Sequence, residues 1–169
     1  MTRSSVALDD ALEFLHFGFR EIVREPDRIL ARRGMGRVHH RILYMCRRNL
    51  ELTIGEVLAI LDVSKQALHR PLGDLVRAGL IVAERDAVDR RARRLRLTPK
   101  GRALEEQVSG MQREALGRAF AVVGEQGAHA WVEVMTSLGA GKTAAKLRAA
   151  ASKRRALARR KQQARRRPA

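Results

Sequence analysis

Residues 53–101 read TIGEVLAILDVSKQALHRPLGDLVRAGLIVAERDAVDRRARRLRLTPKG, and the change of period along this stretch decides the fold. Thr53-Ile54-Gly55-Glu56 opens it as a capping box: the Thr53 hydroxyl is placed to accept from a backbone N–H three residues on, and Glu56 to reach back. A short helix follows, with Val57, Leu58 and Leu61 as its apolar residues. Asp62-Val63 forms a turn, and Ser64 is a good N-cap for a second helix. That helix runs to about Ala78, with Gly79 where a C′ glycine belongs. The apolar period then shortens. Residues 80–85 read as a strand, and residues 93–98 alternate, Leu95 and Leu97 on one side, Arg94 and Arg96 on the other. Residues 86–92 between them are a polar, basic connection. Thr98-Pro99 starts another helix, Thr at N-cap and Pro at N1.

The flanking sequence is helical in pattern. Leu8, Leu12, Leu15, Phe19 and Ile22 recur at spacings of 4, 3, 4 and 3, which is one apolar face; Phe14 and Phe17 widen it. Pro26 is expected to limit this helix, because proline disfavours helical geometry in the residue before it. A further helix is expected over about residues 37–48, with Val38, Ile42 and Met45 inward and Leu43 beside them. Beyond Pro99, Leu104, Val108, Met111, Ala115, Ala119 and Val122 give a long stripe. Gly124 and Gly127 are expected to break it, and a last helix holds Trp131, Val134, Met135 and Leu138.

Two short helices, a tight turn and a basic hairpin make a winged helix-turn-helix. The expected fold class is mostly α with a small β-wing. Residues 36–100 form the DNA-binding domain, 1–35 an N-terminal dimerisation helix and linker, 101–140 C-terminal dimerisation helices, and 141–169 a basic tail expected to be disordered when free. An α-helix fits the major groove and its N-terminal turns face base edges. On the helix after Ser64, the expected buried side is Ala67, Leu68, Leu72, Leu75 and Val76, leaving Ser64, Lys65, Gln66, His69 and Arg70 toward DNA. Glutamine pairs bidentately with adenine, arginine or lysine with guanine, and the helix N-terminus attracts phosphate. In the hairpin, Arg90, Arg91 and Arg93 suit the negative potential of a narrow minor groove. Asp89 is expected to hold a neighbouring arginine such as Arg93. Pro71 stands inside the recognition helix, removes a hydrogen bond to the Ala67 carbonyl, and is expected to kink it.

These residues carry a resemblance. Asp89-Arg90-Arg91-Ala92 followed by Leu97-Thr98-Pro99-Lys100-Gly101 is similar to the wing and exit-helix signature of the MarR family. Ser64-Lys65-Gln66-Ala67 and Leu75-Val76-Arg77-Ala78-Gly79-Leu80-Ile81 are similar to its recognition helix and following strand. The resemblance implies an obligate homodimer, a near-palindromic double-stranded DNA operator, and usually a repressor. It also implies release by a small, often aromatic, effector in the crevice between the two lobes. The terminal apolar stripes exceed what the central domain can cover, so the dimer interface is expected at Leu8, Leu12, Leu15, Phe19, Ile22, Met111, Phe120 and Trp131.

Composition bounds the alternatives. The 169 residues carry 35 Lys+Arg against 18 Asp+Glu, a net charge of +17, which suits a polyanionic partner. Residues 140–169 hold 12 basic and no acidic residues, so the body alone is far less basic. That tail motivates a second reading, a nucleoid-type architectural protein that binds DNA non-specifically. Only 4% of residues are aromatic, so the core must rest on aliphatic side chains. No uncharged stretch approaches the roughly 18 residues of a membrane span, and residues 1–10 lack a signal peptide's apolar run; a cytoplasmic, nucleoid-associated protein is expected. Cys46, the single cysteine, forms no intrachain disulfide and reads as packing. His39-His40 lack neighbours at metal-ligand spacing. Gly141-Lys142-Thr143 lacks the earlier glycine of a phosphate-binding loop, Thr136 standing in its place. No catalytic arrangement, metal or cofactor is expected.

Overall fold

The computed structural model describes residues 7–48, 52–85, 92–143, 145, 146 and 149. In chain order it contains α1 (Leu8–Ala31), α2 (Arg37–Arg48), β1 (Leu52–Thr53), α3 (Ile54–Leu61) and α4 (Lys65–Arg77). There follow β2 (Ile81–Arg85), β3 (Arg93–Leu97), α5 (Pro99–Met135) and a π-helical turn at Thr136–Ala140. The fold is mostly helical with a small antiparallel sheet, as expected. The sheet has three strands, in the order β1-β3-β2, because Leu52 pairs with Leu95 and Thr53 with Arg94. A two-residue strand has no alternation to read, so periodicity could not announce β1.

The core is aliphatic. Ile42 and Leu43 of α2, Leu52, Val57, Leu68, Leu75, Ile81 and Leu95 are enclosed together with Leu30, Leu104 and Val108. Val38, expected inward, is exposed; it lies in the first turn of α2, beyond the packed layer formed by Ile42, Leu43, Met45 and Cys46. On α3 the buried pair is Val57 and Ile60, with Leu58 and Leu61 packed at the core's edge.

Two expectations about helix ends meet different outcomes. α1 does not stop at Pro26 but continues to Ala31, with Val23, Pro26 and Leu30 buried. Proline forfeits one hydrogen bond, to the Ile22 carbonyl. Burying a leucine contributes about 1.5–3 kcal/mol, and Leu30 is wholly enclosed. Tertiary packing on one face outweighs the local penalty. α5 does break at Gly124, whose φ of 71° and ψ of −179° leave the helical region; Gly127 stays helical. The break folds the later part of α5 back, bringing Trp131 edge-on to Phe120 with ring centroids 5.6 Å apart.

Candidate DNA interface

The helix-turn-helix is built from local hydrogen bonds that the sequence announces. At the start of α3 the Glu56 N–H donates to Thr53 Oγ1 at 3.2 Å, and the Thr53 N–H donates to Glu56 Oε2 at 2.8 Å. The turn closes through Asp62 in the left-handed region, φ 53°. Ser64 Oγ then accepts from the Ala67 N–H at 3.1 Å, starting α4. Leu68, Leu72 and Leu75 anchor α4 in the core. Ser64, Lys65, Gln66, His69 and Arg70 are all exposed on its N-terminal half, so the structure gathers the expected reading residues on one accessible surface. Ala67 and Val76, expected on the buried side, are exposed; three leucines suffice to seat the helix, and Ala67 falls in the turn that projects past the core. α4 is one helix from Lys65 to Arg77 with Pro71 inside it. The carbonyl left without its usual donor is that of Ala67, an exposed residue, so water can take the missing bond.

The orientation of α4 is fixed by polar contacts as well as by its buried leucines. His39 and His40 are adjacent on α2, so their side chains point about 100° apart, and each serves a different helix. His39 Nδ1 accepts from the Gly36 N–H at 3.0 Å, which leaves Nε2 to donate to Asp74 Oδ2 of α4 at 3.3 Å. That hydrogen bond, outweighing some desolvation and helped by Arg77, holds the Asp74 carboxyl below its usual range. His40 Nε2 meets Ser109 Oγ of α5 at 2.8 Å.

At the C-terminal end of α4, the Gly79 N–H donates to the Val76 carbonyl and the Leu80 N–H to the Leu75 carbonyl. This is the paired termination that a left-handed C′ residue allows, and Gly79 has φ 67°. The Thr-Pro-Lys-Gly segment then clasps that end. Thr98 Oγ1 donates to the Gly79 carbonyl at 2.7 Å and accepts from the Gly101 N–H at 3.0 Å. Lys100 Nζ donates to the Ala78 carbonyl at 3.1 Å. A Cβ at Gly101 would lie 2.0 Å from the Leu80 carbonyl oxygen, so only glycine fits. Sequence reading found Thr98 as a cap but missed the clasp, whose signal was the whole Thr98–Gly101 motif.

The wing is the β2–β3 hairpin. Its register pairs Arg85 with Arg93 at the end next to the connecting residues, and both are exposed. Like charges directly opposite are unfavourable, and a polyanion alongside removes that cost. Arg85 was missed because it reads as the polar end of a strand. Arg96 bonds Glu84 across the hairpin at 3.1 Å. Arg90, Arg91 and Asp89 lie outside the described residues.

A second surface lies away from α4. Leu8, Leu12, Leu15 and Phe19 on α1 are exposed, Leu8 by 87% and Leu12 by 66%, as are Val122, Val123, Trp131, Val132 and Val134 on α5. Ile22, Met111 and Phe120 are half-buried. Between α1 and α5 runs a groove of about 840 Å³ whose lining includes Phe14, Leu15, Phe19, Met111, Trp131 and Met135. Among the described residues no cluster of His, Cys, Asp or Glu could hold a metal ion, and no helix is long and apolar enough to cross a membrane. Cys46 is buried.

Comparison with known proteins agrees with this geometry. Residues 33–92 match the model of the MarR family. The HTH-type transcriptional regulator PetP of Rhodobacter capsulatus is 34% identical over 131 residues, spanning 78% of this chain and 79% of that one. The crystal structure of a MarR family transcription regulator superposes with a TM-score of 0.65 at 24% identity, covering 78% of this chain and 87% of that one. NadR in complex with 4-hydroxyphenylacetate superposes with a TM-score of 0.63 at 21% identity, covering 82% and 96%.

Proposed function

The chain belongs to the MarR family of DNA-binding transcriptional regulators, and on that premise we propose that it is a homodimeric repressor of a near-palindromic operator, released by a small aromatic ligand. The observation that carries this reading is the pairing of two exposed surfaces of opposite character. One is polar and basic, at Lys65, Gln66, His69 and Arg70 with Arg85 and Arg93 beside them. The other is apolar, on α1 and α5. Two-fold pairing through the apolar surface presents two copies of α4, and operator symmetry mirrors protein symmetry. The relatives named above are transcriptional regulators.

A crevice between the lobes supports the ligand reading. It has a volume of about 340 Å³ and is lined by Arg33, Met35, Ala78, Leu80, Lys100 and Leu104, within the range of small-molecule sites. NadR was crystallised with an aromatic carboxylate, and Arg33 and Lys100 give this crevice two cations suited to one. A carboxylate drawing on Lys100 competes with the Ala78 carbonyl for it and loosens the clasp on the recognition helix. That is a route from ligand to release.

Selection of bound fragments from genomic DNA tests the first part; a symmetric consensus is expected. On that consensus, Gln66→Ala should relax preference at one or two base pairs. Arg85→Ala and Arg93→Ala should instead weaken binding to all sequences and lower the salt slope by about 0.9 per lost phosphate contact. A consensus without symmetry, or helix and wing variants that behave alike, would sink the reading. For the ligand, titration with 4-hydroxyphenylacetate should release the duplex from wild type and do so less readily from Lys100→Gln.

A further inference from the structure

We infer that a second recess, between the end of α2 and the base of the wing, binds the phosphate group of a small molecule. The inference goes beyond the regulator reading and does not rest on it. The recess has a volume of about 480 Å³, within the range of small-molecule sites. Three guanidiniums line it: Arg47 from the last turn of α2, Arg96 from β3 and Arg102 from the first turn of α5. Val82, Leu97 and Pro99 form an apolar wall beside them. Arg102 and Lys100 stand two positions apart on α5, about 200° around the helix. This recess and the crevice at Lys100 are therefore separate sites on opposite sides of α5.

The three cations are held unequally. Arg47 Nε lies 3.7 Å from Glu105 Oε2. The Glu105 carboxylate is enclosed, and neither of its oxygens is hydrogen-bonded among the described residues. A buried carboxylate without a charge partner is costly, so Glu105 keeps Arg47 in place. The separation is too long for a hydrogen bond, so Arg47 supplies charge to Glu105 without spending its donors there. Arg96 donates to Glu84 Oε1 at 3.1 Å, with both side chains about half exposed. An exposed pair of this kind contributes little, so an arriving anion can take Arg96 over. Arg102 is exposed and makes no ion pair among the described residues. Two carboxylates thus serve three guanidiniums, and the positive end of α5 adds to the excess. Guanidiniums recognise phosphate through paired N–H donors, and a phosphate monoester carries a charge of about −2 near pH 7. A duplex backbone is the other source of phosphate for a DNA-binding protein. The concave shape and the apolar wall suit the remainder of a small molecule instead.

The probe is ethyl phosphate, titrated into the full-length protein without DNA near neutral pH. Ionic strength is held constant with sodium chloride, and binding is followed by phosphorus NMR. Wild type should bind the probe saturably. Arg102→Gln and Arg96→Gln, both at exposed positions, should each weaken binding by about tenfold or more. Arg113→Gln removes one charge from an exposed site elsewhere on α5 and should leave the affinity unchanged. The inference is overturned by any of three results: no saturable binding to wild type, equal losses in all three variants, or undiminished binding in Arg102→Gln or Arg96→Gln. In the last case, a salt slope for duplex binding lower by about 0.9 in the same chain would assign that guanidinium to the DNA backbone. Because the phosphate titration contains no DNA, its failure leaves the operator reading standing, and failure of the operator selection leaves this site standing.

Discussion

Burial holds the His40 imidazole below its usual pKa, outweighing the nearby Asp27 carboxylate, with Arg41 adding to the depression. The folded protein therefore prefers the neutral ring, which sits against Ser109. An imidazole in the unfolded chain takes up its proton near pH 6.5. Below that pH the unfolded state binds protons that the folded state does not, and stability falls as the pH falls. The Asp74 contribution works in a lower window: its depressed carboxyl stabilises above the unfolded value and is lost only in stronger acid. The melting temperature of wild type should thus decline between about pH 7 and pH 5, and the decline should be shallower in His40→Gln. Parallel declines would locate the sensitivity elsewhere. Gly101 gives a second expectation at this scale. Its missing Cβ is what lets α5 approach Leu80, so Gly101→Ala must move backbone against backbone. A loss of about 3 kcal/mol or more is expected in urea unfolding; a loss within experimental error would mean that the clasp is slack.

Among the elements, what was legible in the sequence followed from how locally each feature is determined. The caps at Thr53, Ser64 and Thr98 and the terminator at Gly79 depend on residues a few positions apart, and all four are where the sequence puts them. The C-terminal end of α1 and the strand β1 depend on partners distant in sequence, and there the reading failed or was absent. The clasp of Thr98 and Lys100 on α4 was hidden for the same reason. Pro71 tests this distinction. If α4 is held by Leu68, Leu72 and Leu75, by Asp74 on His39 and by the clasp, proline has no geometric task. Pro71→Ala should then restore the bond to the Ala67 carbonyl and stabilise the protein by about 1–3 kcal/mol. Operator affinity should barely change. A marked change in base preference with raised stability would show that the ring itself sets how Lys65 and Gln66 meet the groove.

For the molecule as a whole, the distribution of exposed apolar side chains is what the proposed dimer rests on. α1 and α5 leave Leu8, Leu12, Phe14, Phe17, Val122 and Val134 in solvent. Contiguous apolar surface of this kind marks an interaction site. The partner argued for is a second copy of the chain. The exposed surface and the groove beside it belong to the same two helices, so each protomer offers both a projecting face and a recess, as a two-fold interface requires. The residues that would be lost on pairing contribute little to the protomer alone. Leu12 is 66% and Leu15 45% exposed, while the helix-turn-helix core is closed without them. Leu12→Glu/Leu15→Glu should therefore sediment as a monomer that keeps its helical circular dichroism, whereas wild type sediments as a dimer at micromolar concentration. Operator binding by this variant should fall to half-site affinity, because the two recognition helices are no longer joined. A wild type that sediments as a monomer would refute the pairing. A double variant that stays dimeric would move the interface off α1 and onto the part of α5 after Gly124.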